Sequence, residues 1–440
     1  MTSSDAPAVP MRRVAGAAFA GTTIEFYDFY IYGTAAALVF APVFFPALGA
    51  AAGTVAAFAT FGVAFFFRPV GSILFGHFGD RLGRKRTLIA TLLLMGLSTF
   101  AIGLLPSAET IGVVGPILLV ILRALQGLAV GGEWAGAALL TTEYAPEGKR
   151  GLYGMFPQLG PAIALVLSSG TFLLTALTMS NETFREWGWR LPFLASIVLV
   201  GVGLYVRLKI EETPVFKNVT AQSQQVRLPF AEALRHQWRE VLLAGGTLTM
   251  LFGFFYIATV YLTSYAGKAP SGVLGLERPT VLTGGIIAAI AFALTCAASA
   301  LYSDRIGRRK VMLSGNVVAV IVGPLSFLVM QPGNALSFFV GISMLTAVVG
   351  IVYGPAAAYL PEIFMARYRY SGAGMGYNLA GILGGALPLV VAPPLTAAFG
   401  GIGVGVYLAA LGMLSVLCVV ALRETKDAVL DGAVPAVAPA

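Results

Sequence analysis

Twelve runs of about twenty apolar residues, each long enough to cross the hydrocarbon core of a bilayer as a helix, occupy most of this 440-residue chain. Six fall near 14–40, 55–77, 87–105, 115–141, 154–178 and 190–208. Beyond a polar stretch, six more fall near 241–266, 280–302, 311–331, 336–360, 371–395 and 402–422. The pattern predicts an all-α membrane protein: 12 transmembrane helices in two pseudo-symmetric six-helix bundles, one at 14–208 and one at 241–422. Residues 209–240 join them, and Phe230, Leu234 and Trp238 recur there every four positions, as in a short amphipathic helix on the membrane surface. The tails 1–13 and 423–440 carry no pattern of a folded domain. Glu25 and Asp28 interrupt the first run, so it is expected to stay in the protein as helix one and not to be cleaved as a signal.

The loops repeat as well. Gly76-His77-Phe78-Gly79-Asp80-Arg81-Leu82-Gly83-Arg84-Lys85-Arg86, between runs two and three, returns as Ser303-Asp304-Arg305-Ile306-Gly307-Arg308-Arg309-Lys310 between runs eight and nine, the aspartates 224 positions apart. Glu143 and Arg150 follow run four, and Glu362 and Arg369 follow run ten, 219 positions later. Two matches near one offset indicate a tandem duplication, the construction of a carrier that moves two similar halves about a central site.

Composition and charge narrow the class. Hydrophobic residues make up 58% of the chain and charged ones only 11%, against roughly 25% charged in a soluble domain. Apart from Arg68 and Arg123, only Arg185, Arg190, Lys268 and Arg278 lie outside one alternate set of loops and the tails. Because cytoplasmic loops retain Lys and Arg, both termini and both basic turns are expected in the cytoplasm, with the protein multi-pass in the cell inner (plasma) membrane. The net charge of +8 is then a topology signal, and nucleic acid is not an expected partner. Two cysteines, Cys296 and Cys418, in different runs offer neither a disulfide framework nor a thiolate metal site, so no metal or cofactor is expected. The chain has no H-E-x-x-H and no nucleotide-binding loop, which argues against an enzyme.

Residues 76–86 match G-x-x-x-D-R-x-G-R-K-R, and the chain resembles the major facilitator superfamily on that motif and on Arg123-Ala-Leu-Gln-Gly-Leu-Ala-Val-Gly131. Glu25-Phe-Tyr-Asp-Phe-Tyr-Ile-Tyr-Gly33, Gly131-Gly-Glu133 and Glu212-Thr-Pro-Val-Phe216 are similar to its metabolite:proton symporter branch. The resemblance implies proton-coupled import of a small organic acid or related metabolite by alternating access. Citrate, 2-oxoglutarate, shikimate, dicarboxylates, proline and betaine occur across the branch. It also implies that the basic turns latch the halves together on the cytoplasmic side, through Asp80, Arg81, Arg84 and Glu143 in one copy and Asp304, Arg305, Arg308 and Glu362 in the other. The second copy has Ala300 where the first has Gly76. Neither the C-terminal coiled coil of osmosensing betaine carriers nor the fuller Gly-rich pattern of efflux antiporters is present. A zwitterion symporter, a proton-driven efflux antiporter and a transport-inactive receptor are the alternatives to the organic-acid symporter.

Ionisable residues inside the runs are the candidate chemistry, since a charge at the bilayer centre costs at least about 2.5 to 3.5 kcal/mol and must face protein or a cavity. Glu25, Asp28, Arg68, Arg123 and Glu133 all lie in the first half. At a rise of about 1.5 Å per residue, Asp28 and Arg123 reach similar depths and can pair, as can Arg68 and Glu133. Glu25 is left one turn from Asp28, and two close carboxylates away from water can share one proton. Glu25, Asp28, Arg123 and Glu133 are therefore the proton-coupling candidates, and Arg123 and Arg68 the candidates for an anionic substrate group. The second half contributes neutral groups: Tyr256 and Asn378, with Gln158 of the first half, are the further substrate candidates. The protein is expected to work as a monomer in the bilayer, with protons and one small molecule as partners.

Overall fold

The apolar runs fold as helices in the computed structural model of the chain, which describes residues 11–82, 84–131, 133–143, 145, 148–209, 229–268, 272–365 and 368–426. Among the described residues there are no strands. Ten helices are long and apolar enough to cross a membrane, and the shorter apolar helices Ile89–Leu104 and Val114–Val130 complete the predicted twelve. Helix two is Gly49–Leu82, helix three Arg84–Leu104, helix five Arg150–Thr178 and helix six Leu191–Lys209. In the second half, helix eight is Arg278–Ile306, helix nine Arg308–Val329, helix ten Ala335–Ile363 and helix twelve Gly401–Ala421.

Helix one runs Met11–Ala35 and continues through a π segment, Ala36–Phe40. Its counterpart, helix seven, runs Pro229–Tyr256 and continues through a π segment at Ile257–Tyr261, 221 positions later. The duplication thus extends to an irregularity that apolar patterning does not encode, and π segments concentrate at functional sites. Helix eleven has a third, Gly381–Ala386, between Arg369–Ala380 and Leu387–Phe399. Helix seven also departs from helical geometry at Gln237, where the amphipathic segment that opens it turns into the span. Most of the polar stretch before it, 210–228, lies outside the described residues.

Helices one and seven are the most deeply buried spans. This suits helix one, whose carboxylates are excluded from lipid. The halves meet where helix five packs along helix eight and helix two along helix eleven, while helices three with six and nine with twelve pair on the flanks. Helix four breaks in two, Val114–Val130 and Glu133–Glu143, with a turn at Gly131. That glycine and Gly127 let helix four touch the backbone of helix two: a Cβ at Gly127 would strike Ala64, and one at Gly131 the Arg68 carbonyl. The close approach sets Gly131 of helix four against Arg68 of helix two.

Candidate functional site

Asp28, Glu25, Arg68 and Arg123 are all buried. Asp28 and Arg123 make no direct ion pair, contrary to the depth argument, although they belong to one network. The Thr99 hydroxyl donates to Asp28 Oδ2 at 2.9 Å. Gln126 Nε2 donates to Thr99 Oγ1 at 2.7 Å, and Arg123 Nη1 donates to Gln126 Oε1 at 2.9 Å. The Arg123 guanidinium is drawn sideways over the rings of Phe29, Tyr32 and Phe61, 4.2, 4.1 and 4.6 Å from their centroids. Such contacts attract a desolvated cation electrostatically, which explains how Arg123 stays in the core without a carboxylate against it. Arg68 lies over the same Phe29 ring at 4.3 Å and over Phe65 at 4.7 Å.

Arg68 and Glu25 line one small cavity of about 10 Å³, closed by Val130, Gly131, Trp134, Tyr377 and Asn378. The carboxylate that sequence depth left without a cation thus shares its cavity with the arginine that had been matched to Glu133. Depth along a helix is readable from sequence, whereas the direction in which a side chain leaves it depends on packing. The Glu133 side chain is half-buried at the start of its helix.

A second cavity, about 20 Å³, lies between the halves and shares Tyr377 with the first. Its walls are aromatic: Phe26 and Tyr30 from helix one, Phe252, Phe255 and Tyr256 from helix seven, and Phe292, Tyr353 and Tyr377 beyond. The Tyr30 hydroxyl is buried without a protein hydrogen-bond partner, and the buried Tyr256 hydroxyl lies beside the Arg68 guanidinium. A buried donor without a partner is uncommon, and Tyr30 brings one to this space between the two halves. Trp134 stacks on Tyr377 across the halves, centroids 3.9 Å apart and planes 7° from parallel. Trp134 Nε1 donates to Gln158 Oε1, and Gln158 Nε2 to the Tyr353 carbonyl, at 3.0 and 2.9 Å. Asn378 Nδ2 reaches the Gly131 carbonyl at 3.3 Å. Gln158 and Asn378 therefore cross-link the halves beside the cavities, while Tyr256 lines the larger one.

Contacts cross between the halves at both ends. At the basic-turn end, Asp304 crosses from helix eight to the start of helix five and accepts from the backbone N–H groups of Gly151 and Leu152 at 2.9 and 3.0 Å. A carboxylate there satisfies orphan donors and faces the positive end of the helix dipole. Arg308 Nη2 donates to Asp304 Oδ1 at 2.9 Å, and its Nε lies 3.2 Å from Glu362 Oε2. Glu362 also faces Arg150 of the other half at 3.6 Å. The chain after helix twelve joins in: Glu424 accepts from the N–H groups of Arg308 and Arg309, and Thr425 Oγ1 donates to Glu362 Oε2 at 2.6 Å. Gly307 sits at φ +111°, and a side chain there would collide with Glu424. Arg305 gives only its carbonyl, to Lys426 Nζ, and its side chain is exposed. The side chains of Asp80, Arg81, Arg84 and Glu143, expected in the first copy of the latch, lie outside the described residues. At the far end, Arg278 Nη2 donates to the Met179 carbonyl at 3.3 Å and its guanidinium covers the Phe184 ring at 4.0 Å.

The Major Facilitator Superfamily family model matches residues 18–387. The chain belongs to that superfamily. It is 44% identical over 417 residues to the inner membrane metabolite transport protein YhjE of Escherichia coli (strain K12), covering 94% of each chain. It is 40% identical over 424 residues to the shikimate transporter of the same organism, covering 95% of each, and 32% identical over 437 residues to its proline/betaine transporter, covering 97% of this chain and 86% of that one. Among solved structures, the partially occluded inward-open xylose transporter XylE of E. coli aligns with a TM-score of 0.73 at 17% identity, over 94% of this chain and 98% of the other. At that identity the likeness concerns the fold. This superfamily member is thus a multi-pass membrane transporter of metabolites, not an enzyme.

Several residues of the site carry no advance signal of their own. Tyr30 and Gln126 lie inside the two motifs quoted for helices one and four, where the charged neighbours drew attention instead. Arg150 belongs to the repeated Glu/Arg pair. Thr99, Trp134, Tyr377 and Thr425 look like ordinary residues of their segments.

Proposed function

We propose that the chain is a proton-coupled symporter that imports a small organic acid across the plasma membrane by alternating access, as a monomer with both termini in the cytoplasm. The observation that carries the reading is the buried first-half set of Glu25, Asp28, Arg68 and Arg123, of which Glu25 and Arg68 line a cavity together with Tyr377 and Asn378 of the second half. Buried carboxylates next to arginines can take up a proton from one side and surrender it to the other, while a guanidinium holds the substrate's carboxylate. Contacts join the halves at both ends, through Asp304 at one and Arg278 at the other, and alternating access requires them to break in turn. On this reading, opening at the basic-turn end breaks the Asp304, Arg308 and Glu362 latch, and opening at the far end releases Arg278 from Phe184.

A zwitterion is the second reading, favoured by the aromatic walls, because a quaternary ammonium is recognised by ring faces. Purified protein in liposomes that hold a pH-sensitive dye separates these possibilities. A panel of unlabelled organic acids and zwitterions is added outside. Acidification of the interior by carboxylates alone supports the first reading, and by betaine-like compounds the second. No acidification by any compound, with a known symporter working alongside, contradicts both.

A further inference from the structure

Between Asp28 and Arg123 every donor points the same way. Arg123 donates to Gln126, Gln126 donates to Thr99, and Thr99 donates to Asp28. A chain of this kind, running from a cation to an anion, polarises each of its members and strengthens them together. Its last link has an alternative: Thr99 Oγ1 lies 2.9 Å from the Met95 carbonyl, the same distance as from Asp28. A hydroxyl has one proton and can serve only one of these acceptors fully.

We propose that Thr99 and Gln126 form a relay that reports the protonation of Asp28 to Arg123, a proposal resting on the proton-coupling reading above. With Asp28 ionised, the Thr99 proton points at it and the chain ends on a charge at both sides. When a proton arrives from water, the Asp28 carboxyl becomes a donor toward the Thr99 oxygen and the Thr99 proton turns to the Met95 carbonyl. One O–H bond forms at Asp28 as one breaks in the hydronium that delivers the proton, and within the relay only the Thr99 hydroxyl rotates. The chain then no longer ends on an anion, the Gln126 carbonyl loses polarisation, and its hold on Arg123 weakens. Arg123 already has Nη2 without a protein partner, so a loosened guanidinium can turn to an anionic group in the central space. Among the described residues, the charged and titratable groups around the relay are Glu25, Tyr27, Asp28 and Tyr32 on helix one, Arg68 on helix two, Arg123 on helix four and Tyr256 on helix seven. Thr99 is thus a positioning residue: it acts on substrate only through Gln126 and Arg123.

Infrared difference spectra between acid and alkaline buffer, recorded on the purified full-length protein in lipid, test this without a known substrate. The wild type is expected to give a protonated-carboxyl band that Asp28→Asn removes, accompanied by a guanidinium change that Arg123→Lys removes. Thr99→Val and Gln126→Leu should keep the carboxyl band, which also certifies an intact site, and lose the guanidinium change. Thr99→Ser should restore both. Persistence of the guanidinium change in Thr99→Val and Gln126→Leu overturns the relay and leaves proton coupling at Asp28 standing. Absence of any Asp28-dependent band in the wild type overturns the coupling reading together with the relay.

Discussion

Asp28 and Arg123 can stay in an apolar core because their surroundings replace water group by group. Thr99 supplies a hydroxyl to the carboxylate, and Gln126, the Phe61 carbonyl and three ring faces surround the guanidinium. Tyr30 differs from these in having a hydroxyl with no protein hydrogen-bond partner, while the Tyr256 hydroxyl has the Arg68 guanidinium as its neighbour; both tyrosines line the larger cavity. Tyr256→Phe and Tyr30→Phe should each raise the substrate concentration for half-maximal uptake about tenfold, since a hydrogen bond to a charged group contributes about 1.5 kcal/mol. Uptake kinetics in liposomes would measure this, and an unchanged half-maximal concentration in both variants would remove the tyrosines from the site. The charged members of the site were legible in the sequence because Asp, Glu and Arg are so costly in an apolar run. Their partners were not, because Thr, Gln and Tyr are ordinary in membrane helices and sequence depth carries no information on azimuth. Asp28 and Arg123 do not pair directly, and Gln126 and Thr99 stand between them.

At the scale of elements, the basic turns announced a latch without revealing its receptor. The Asp304 carboxylate meets the start of helix five, a contact between halves that no spacing encodes. Asp304→Asn keeps the shape and removes the charge, so the basic-turn end should open more often. Loss of about 1.5 kcal/mol of charge-assisted hydrogen bonding corresponds to a roughly tenfold shift in population. A cysteine at Ala357, which packs against Gly154 across the halves, should react with a maleimide from that side about tenfold faster in Asp304→Asn, in a background with Cys418 replaced. An equal rate would leave Asp304 as a topology signal only. The helices themselves were legible because a bilayer demands about twenty apolar residues whatever their order. The break in helix four and the π segments were not, since they arise from packing. Gly131→Leu tests one such contact: the side chain would enter helix two at the Arg68 carbonyl, and overpacking of this kind destabilises by about 1 to 3 kcal/mol. A lowered melting temperature in detergent is the expected result.

At the scale of the molecule, the duplication supplies two bodies and the charge distribution makes them unequal. From Val241 onward the described second-half helices have acidic and basic residues only near their ends, at Arg278, Asp304 and Glu362 for example, whereas Glu25, Asp28, Arg68 and Arg123 lie deep in the first half. Transport then requires the halves to rock about the central cavity. A cross-link should stop that motion: a Cβ at Gly285 would stand 3.5 Å from that of Ser169 across the halves, within disulfide range. Oxidised Ser169→Cys/Gly285→Cys protein should lose uptake and regain it on reduction, as followed by substrate-driven acidification in liposomes.

The most direct test of proton coupling through the buried first-half charges compares wild type and Asp28→Asn in dye-loaded liposomes, given an inward gradient of a compound active in the panel. The wild type should acidify the interior as substrate enters, while Asp28→Asn should exchange substrate across the membrane without moving protons. Proton entry in Asp28→Asn at the wild-type rate would contradict the account.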